Sequence, residues 1–275
     1  MKIRKYSILL VSVLLSLSVS AQGLKDEQKG VYRPYDFDAP RVDEPAPKGY
    51  EVFCLSHYGR HGSRFLYNEA EYDTLNVVLN RESLTATGEK VRDKFNENYP
   101  IFKGRADDLT ELGQKQHRLL ARRMMDDYPN LFRKGSEVYA FSSDRTRCMM
   151  SMYCFLDELR LCRNGLDIHA DYNSSYLKYL RAQHPEPFDM KAYLRDNFDP
   201  QSVFERLFTS PEKAMSSTDP WNFAQELYYY ASHLDGAGIK DEFWSNVLSD
   251  DEVKAIHRVE NEKFSYNRGG FRPAN

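Results

Sequence analysis

The chain has 275 residues, with 38 lysines and arginines against 41 aspartates and glutamates, for a formal net charge of −3. Hydrophobic residues make up 41% and charged residues 29%. This composition excludes a disordered chain, a collagen and a polytopic membrane protein. The near-neutral charge also argues against a general nucleic-acid binder. The length allows one large domain or two modest ones.

The first 21 residues have the pattern of a secretory signal peptide. Lys2, Arg4 and Lys5 give a basic start, and the apolar run over 8–21 ends in small residues at the cleavage positions. The run is too short to span a bilayer comfortably. We therefore expect a secreted or periplasmic protein with no membrane anchor after cleavage. Loss of the three basic residues would leave 35 basic against 41 acidic side chains.

The cysteines leave several possibilities open. Cys54 lies in a predicted strand, whereas Cys148, Cys154 and Cys162 lie on or near one predicted helix. Export implies an oxidising compartment, and four cysteines allow three full pairings. Free buried thiols fit the pattern at least as well. No C-x-x-C pair occurs, so zinc or redox chemistry has little support.

Residues 22–48 are rich in Pro, Asp and Lys and predict an extended lead-in. The region 49–171 is predicted to be an α/β core, a mostly parallel sheet flanked by helices, because strands and helices alternate along it. Its predicted strands are 50–56, 137–141 and 166–170, and its predicted helices are 83–99, 110–128 and about 145–161.

The pattern changes after Tyr172, where we find no convincing strand. This predicts a helical subdomain over 172–275, inserted in the α/β core or packed over it. Its predicted helices are 190–197, 221–234 and 250–263.

The sharpest local feature is the segment H-Y-G-R-H-G-S-R at 57–64, directly after the first predicted strand. Loops at the carboxyl ends of parallel strands are where α/β folds place their sites. Arg60 and Arg64 flank His61, a costly arrangement unless an anion neutralises it, and bidentate recognition of phosphate is the obvious use. Nearby cations lower the pKa of an imidazole, which keeps it neutral and nucleophilic.

A second basic cluster, S-S-D-R-T-R-C at 142–148, follows the second predicted strand and opens a helix. Its first three residues are good capping residues. A helix N-terminus favours bound anions, and an arginine in the first turn would reach the same phosphate. Arg145 and Arg147 would be ordinary exposed side chains if taken alone. With the first cluster they predict a phosphate pocket around His61.

These motifs resemble those of a known family. R-H-G-S-R at 60–64 resembles the signature of the histidine acid phosphatase branch of the histidine phosphatase superfamily. L-T-E-L-G at 109–113, followed by Gln116 and His117, resembles that branch's L-T-x-x-G-x-x-Q/E helix. The S-S…R-C-x-x-S…F-L segment at 142–156 is similar to multiple inositol polyphosphate phosphatases, a phytase-like group.

The resemblance implies a role for each matching residue. His61 would be the nucleophile that forms a phosphohistidine, and Arg60, Arg64 and Arg147 would bind the transferred phosphoryl group. Arg145 fits the pattern less well and would line the pocket. The substrate would be a phosphorylated small molecule, and the arginines would neutralise it without a metal or other cofactor.

Two features bear on that expectation. His57 and His61 have the i,i+4 spacing of a metal pair, but the neighbouring arginines would repel a dication. Family members also carry a later H-D or H-A-E motif, whose acid protonates the leaving oxygen. The segment H-L-D at 233–235 has the wrong spacing for that motif, and H-R-V at 257–259 has no acid.

H-A-D at 169–171 comes before the helical region and suits a strand exit, so Asp171 is a disfavoured candidate for the general acid. We therefore expect a C-terminally incomplete member that lacks the last sheet strands and the general acid.

Three functions follow from these patterns. The leading one is a secreted phosphomonoester hydrolase that acts on phytate or other inositol polyphosphates. The second is a non-catalytic or crippled phosphate- or phytate-binding protein, which keeps the anion pocket and lacks the acid. The third, a phosphoglycerate mutase-like transferase, is disfavoured by the signal peptide.

Overall fold

The computed structural model describes residue 24 and residues 26–38, 46–180, 188–240, 243–244 and 247–267. The predicted signal peptide, residues 1–21, lies outside this part. Among the described residues, no helix is long and apolar enough to cross a membrane. The fold is helix-rich and contains a parallel two-stranded sheet, which confirms the predicted α/β class.

The elements alternate as predicted in the first half and become helical in the second. Two 3-10 turns, Asp26–Gln28 and Gly30–Tyr32, precede them. The helices and strands are α1 Glu69–Arg81, α2 Ala86–Phe102, α3 Glu111–Asp127, β1 Glu137–Ser142, α4 Thr146–Cys162, β2 Asp167–Tyr172, α5 Leu177–Leu180, α6 Met190–Asn197, α7 Gln201–Leu207, α8 Pro211–Ser216, α9 Pro220–His233 and α10 Asp250–Asn267.

The sheet is one βαβ unit, with α4 as the crossover between β1 and β2. The two strands pair in parallel and in step, from Glu137 opposite Asp167 to Ser142 opposite Tyr172. Alternate residues of the strands face α3 and α4, as the period of a half-buried strand requires. The small core there consists of Ala121, Met125, Phe132, Leu156 and Leu159, with Val138, Ala140 and Ile168 packed against it.

The strand predicted at 50–56 is wrong. This segment forms no helix or strand, and its backbone pairs with no other strand of the described part. Phe53 is 91% exposed and Tyr50 76% exposed, although Leu55 packs against the α3–α4 core. An extended segment becomes a strand only when a neighbouring segment shares its backbone hydrogen bonds, and no segment in the described part of the chain does so here.

A second, larger core lies among the helices. Helices α1 and α2 share it with α6, α7, α9 and α10, so it joins residues before and after the sheet. The segment before the first helix also packs there. Leu24 is buried in the core, Lys29 pairs with Asp235, and the Tyr228 hydroxyl donates to the Gln28 carbonyl at 2.7 Å. The domain boundaries placed at 48/49 and 171/172 stay predictions.

Side-chain caps fix where several helices begin. Thr85, Thr110 and Asp219 each accept a hydrogen bond from a first-turn amide, as N-cap residues do. The predicted cap at Thr110 is confirmed. Helix α4 differs, because its N-cap residue is Arg145, which makes no side-chain cap hydrogen bond. The capping role predicted for the residues at 142–144 is therefore wrong.

Candidate active site

The loop that contains the R-H-G-S-R motif, residues 60–64, is held against the start of α3. The Ser63 amide donates to the Gln116 side chain at 2.7 Å. The Thr110 amide and hydroxyl both donate to the Ser63 carbonyl, at 2.9 and 3.0 Å. The Gly62 amide donates to the Ser151 hydroxyl on α4 at 3.1 Å. Thr110 and Gln116, the polar residues of the L-T-x-x-G-x-x-Q pattern, thus hold the loop through hydrogen bonds to its backbone.

Two glycines allow this close approach. A β-carbon on Gly113 would lie 2.2 Å from the Ser63 carbonyl oxygen, and one on Gly62 would lie 2.4 Å from the Gly113 carbonyl oxygen. Both distances are far inside van der Waals contact, and both neighbours are backbone atoms. The glycines of the two motifs therefore form one contact between the loop and α3.

His61 has a defined orientation and protonation state. Its Nδ1 lies 2.8 Å from the Gly62 carbonyl oxygen. A carbonyl only accepts, so Nδ1 carries the proton and Nε2 keeps a free lone pair. The pKa of His61 is lowered to about 3, chiefly by burial and then by Arg60, Arg147 and Arg64 in that order, while the Gly62 hydrogen bond opposes the shift. The arginine effect predicted from the sequence is present, but burial is the larger cause.

Arg64 and Arg147 are brought together from two elements. Arg147 forms an ion pair with Asp107, and the Arg64 Nε lies 3.9 Å from the other oxygen of the same carboxylate. Both guanidinium groups also lie 5.7 Å from the centre of the Tyr67 ring. Two like charges so placed repel one another, and the shared carboxylate offsets part of that repulsion.

Arg60 also lies near His61, and its side chain is held by other elements. Its Nη1 donates to the Val31 carbonyl at 3.0 Å, and its guanidinium lies 5.8 Å from the centre of the Phe264 ring. His117 of α3 hydrogen-bonds to the Arg60 backbone, and burial followed by the effect of His57 lowers the pKa of His117 to about 4. Arg60 is thus positioned by the N-terminal segment, α3 and α10 together.

Asp107 is a site residue that sequence reasoning missed. It precedes the L-T motif, and its backbone φ of +65° is unusual for a residue other than glycine. Its amide donates to the Leu66 carbonyl at 2.7 Å, which fixes the carboxylate between the arginines. The sequence marks Asp107 only by its position two residues before Leu109, the first residue of the L-T-E-L-G segment.

The two weaker candidates, Arg145 and Asp171, are both exposed. Arg145 is exposed at the N-cap of α4, apart from the half-buried Arg147 two residues later. Asp171 is exposed at the end of β2, where it accepts hydrogen bonds from the Tyr172 amide and the Tyr176 hydroxyl. This matches the strand-exit role that the sequence suggested for Asp171. Its role as a general acid stays untested.

The structure also bears on cysteine and metal chemistry. Cys54, Cys148, Cys154 and Cys162 are all free thiols. Among the residues that the structure describes, no group of three or more histidine, cysteine or acidic side chains is arranged to hold a metal ion. His57 instead stacks on Phe155, with ring centres 6.0 Å apart.

His61 is neutral with a free Nε2, and it lies beside Arg60 and Arg64 of the glycine-containing loop and Arg147 of α4. This arrangement defines an anion site suited to a phosphoryl group. The comparisons agree with this class. Residues 57–160 match the model of the histidine phosphatase superfamily (branch 2). This part of the chain is thus similar to branch 2 histidine phosphatases, and the resemblance predicted from the sequence is confirmed over these residues.

The fold is similar to that of the phytase from D. castellii, with a TM-score of 0.52 and 12% sequence identity. The match covers 75% of this chain and 49% of the phytase chain, so the chain spans about half the length of that enzyme. No curated protein matches the sequence. The closer resemblance to multiple inositol polyphosphate phosphatases stays a prediction.

Proposed function

We propose that this protein is a secreted phosphomonoester hydrolase that acts through a phosphohistidine on His61, with inositol polyphosphates such as phytate as substrates. The observation that carries the proposal is the fixed state of His61. Its Nδ1–H is committed to the Gly62 carbonyl, so the lone pair of Nε2 is available for attack. The low pKa of about 3 keeps that lone pair available in mildly acidic media.

The chemistry has two steps. The Nε2 lone pair attacks phosphorus, the N–P bond forms, and the P–O bond to the alcohol breaks with its electron pair on oxygen. Arg60, Arg64 and Arg147 stabilise the charge on the three equatorial oxygens. Water then attacks the phosphohistidine, the N–P bond breaks, and inorganic phosphate leaves. An alkoxide leaving group needs a proton in the first step, and a nitrophenolate does not.

The test is an assay of the purified protein between pH 4 and 7 on p-nitrophenyl phosphate and phytate. His61→Ala should abolish turnover of both, whereas His169→Ala, which changes an exposed histidine on β2, should leave it unchanged. Acid-labile label from a ³²P-ester should appear on the wild-type protein only. Full activity in His61→Ala would overturn the proposal.

The arginines give a second, graded test. Arg147→Ala should raise KM and lower kcat, because it removes a charge-assisted contact that strengthens in the transition state. Arg160→Ala, on the exposed far end of the same helix, is the matched control. Equal effects of the two variants would contradict the role of Arg147.

A specific observation favours a second candidate, a phosphate-binding protein with crippled catalysis. Asp171, the one acid that the sequence offered as proton donor, is engaged by Tyr172 and Tyr176 at the end of β2. Loss of general-acid help costs typically 10²–10⁴-fold in rate. Binding of phytate with turnover of the nitrophenyl ester alone would select this candidate.

Secretion is part of the proposal and has its own test. The first 21 residues carry the signal-peptide pattern. Mass spectrometry of the exported protein should find a mature chain that begins at Gln22. An intact N-terminus on protein retained in the cytoplasm would contradict it.

A further inference from the structure

A cavity of about 230 Å³ lies beside the arginine cluster and shares Arg64 with it. His61 is not part of its wall. The volume is below that of pockets for drug-sized ligands and suits a small molecule. The lining residues are Tyr32, Arg64, Leu66, Tyr67, Glu71, Tyr229, His233 and Lys263.

His233, the last residue of α9, gives the cavity a specific chemistry. Its side chain is buried, and its Nδ1 lies 2.7 Å from the Tyr229 carbonyl oxygen. A carbonyl only accepts, so Nδ1 carries the proton and Nε2 is a bare acceptor. Nε2 is buried and has no hydrogen-bond partner among the described residues.

The protonation state of His233 does not change near neutral pH. Its pKa is lowered to about 3, chiefly by burial and then by Arg64 and Arg60, against a raising effect of the Tyr229 hydrogen bond. A neutral acceptor in this position cannot bind a phosphate dianion, which also only accepts. It needs a ligand group that donates, because a buried acceptor left without a donor is destabilising.

The remaining walls fit the same kind of ligand. Tyr32 and Tyr229 meet edge to face with ring centres 5.8 Å apart, and Tyr32 lies 4.3 Å from the His233 ring. These rings offer apolar faces to the C–H side of a ring. Glu71 supplies a second set of acceptor oxygens, and Lys263 adds a cation beside Arg64.

We propose that this cavity binds the hydroxylated part of the substrate, a cyclitol or sugar ring, and that a free ring hydroxyl donates to Nε2 of His233. The inference rests on the proposed function, because Arg64 would hold the ester phosphate while the ring enters the cavity. Among the proposed substrates, it favours phosphate esters that retain a free hydroxyl. Partly dephosphorylated inositol phosphates meet this requirement and should therefore be turned over faster than phytate, whose hydroxyls are all esterified.

The decisive measurement is a ratio of specificities. In His233→Phe, which keeps a ring and loses the acceptor, kcat/KM for myo-inositol 1-phosphate should fall about 10-fold relative to wild type, the value of one hydrogen bond. The value for p-nitrophenyl phosphate, which has no hydroxyl, should stay within about twofold. His233→Gln, whose side-chain oxygen is an acceptor, should recover much of the loss. An equal fall for both substrates, or no change for either, would overturn the inference.

A second measurement needs neither turnover nor a substituted protein. The ¹⁵N resonance of His233 Nε2 in the wild-type protein should shift when myo-inositol 1-phosphate is added, and inorganic phosphate should not produce that shift. Calorimetry should find tighter binding of the ester than of inorganic phosphate. If inorganic phosphate binds but the ester gains nothing and moves no His233 signal, the cavity assignment fails alone. If neither binds, the phosphate site and the proposed function fail with it.

Discussion

The molecule has two differently packed regions. The helical region comprises α1, α2 and α6 to α10, and the sheet region comprises α3, β1, α4 and β2. The candidate site lies where the two regions meet. The helical region buries large side chains completely, among them Tyr72, Phe95, Phe204, Tyr230 and Trp244. The sheet region has only a small core between the strands and α3–α4, and it leaves Tyr139 and Phe141 exposed on the opposite face of β1. The helical region thus has a large, fully buried core, whereas the sheet is covered by helices on one face.

The difference shows how the site is assembled. The loop at 60–64 is fixed to the sheet region by Gln116, Thr110 and Ser151. The helical region approaches the same loop with Gly236, where a β-carbon would lie 3.4 Å from Ser63, and borders the cavity with His233. We infer that the sheet region sets the geometry of the phosphoryl site, and the helical region supplies the walls that select a substrate.

The largest effect should come from the helical core. Leu227 is fully buried on α9, and Leu227→Ala should lower the free energy of unfolding by about 2–5 kcal/mol, because it removes buried methyl groups and leaves a cavity. Urea denaturation followed by circular dichroism measures this. A loss below about 1 kcal/mol would mean that the helical region is as loosely packed as the sheet region.

Glu226, also on α9, should make the stability of the protein depend on pH, because it is buried in the helical region. Burial raises its pKa to about 8, from 4.5. The folded state therefore keeps a proton that the unfolded state releases, and stability falls as pH rises from about 4.5 to about 8. Glu226→Gln removes this loss and keeps an acceptor for Asn222.

The variant should match wild type at pH 4 and exceed it by about 4 kcal/mol at pH 8. Unfolding free energies across this range check the prediction. An identical pH profile for the two proteins would show that Glu226 is ionised in the folded state.

Gly113→Ala tests the contact between the sheet region and the loop at 60–64. Alanine would gain about 1 kcal/mol in helix propensity, but its β-carbon would overlap the Ser63 carbonyl. Forced overpacking costs about 1–3 kcal/mol, so we expect net destabilisation and a loss of activity of at least about tenfold as the loop moves.

Gly236→Ala is the matched control from the helical side. Its new β-carbon makes ordinary contact with Ser63. Stability should change by less than about 0.5 kcal/mol and activity should be retained. Equal losses in the two alanine variants would show that both regions fix the loop equally.

The smallest effect should come from the exposed face of the sheet. Phe141 is 57% exposed and touches Tyr176 at its edge. Phe141→Ser should change the free energy of unfolding by less than about 0.5 kcal/mol, as for most surface positions. Thermal and urea unfolding of the variant measure this. A loss of about 2 kcal/mol or more would mean that the face is covered in solution.

The sequence alone determined the local parts of this protein. A helical stripe of apolar residues and the cap at Thr110 predicted α3, and short apolar runs predicted β1 and β2. Helix α4 was predicted from capping residues at 142–144, and the helix forms although those residues do not cap it. The motif residues of the anion site could be predicted as well, because backbone contact and phosphate recognition both demand particular residue types. The helices α1, α5, α7 and α8 were missed, since these elements have no strong local pattern and form in their tertiary context.

Only the tertiary structure decided which residues meet. An apolar run at 50–56 is no strand, because pairing depends on a neighbour that the run itself does not encode. Asp107 holds two arginines, one of them 40 positions away, and His233 lines a cavity together with Arg64, which is still more distant in the sequence. Charge pairing and burial arise from such distant contacts, and a sequence pattern carries only local spacing.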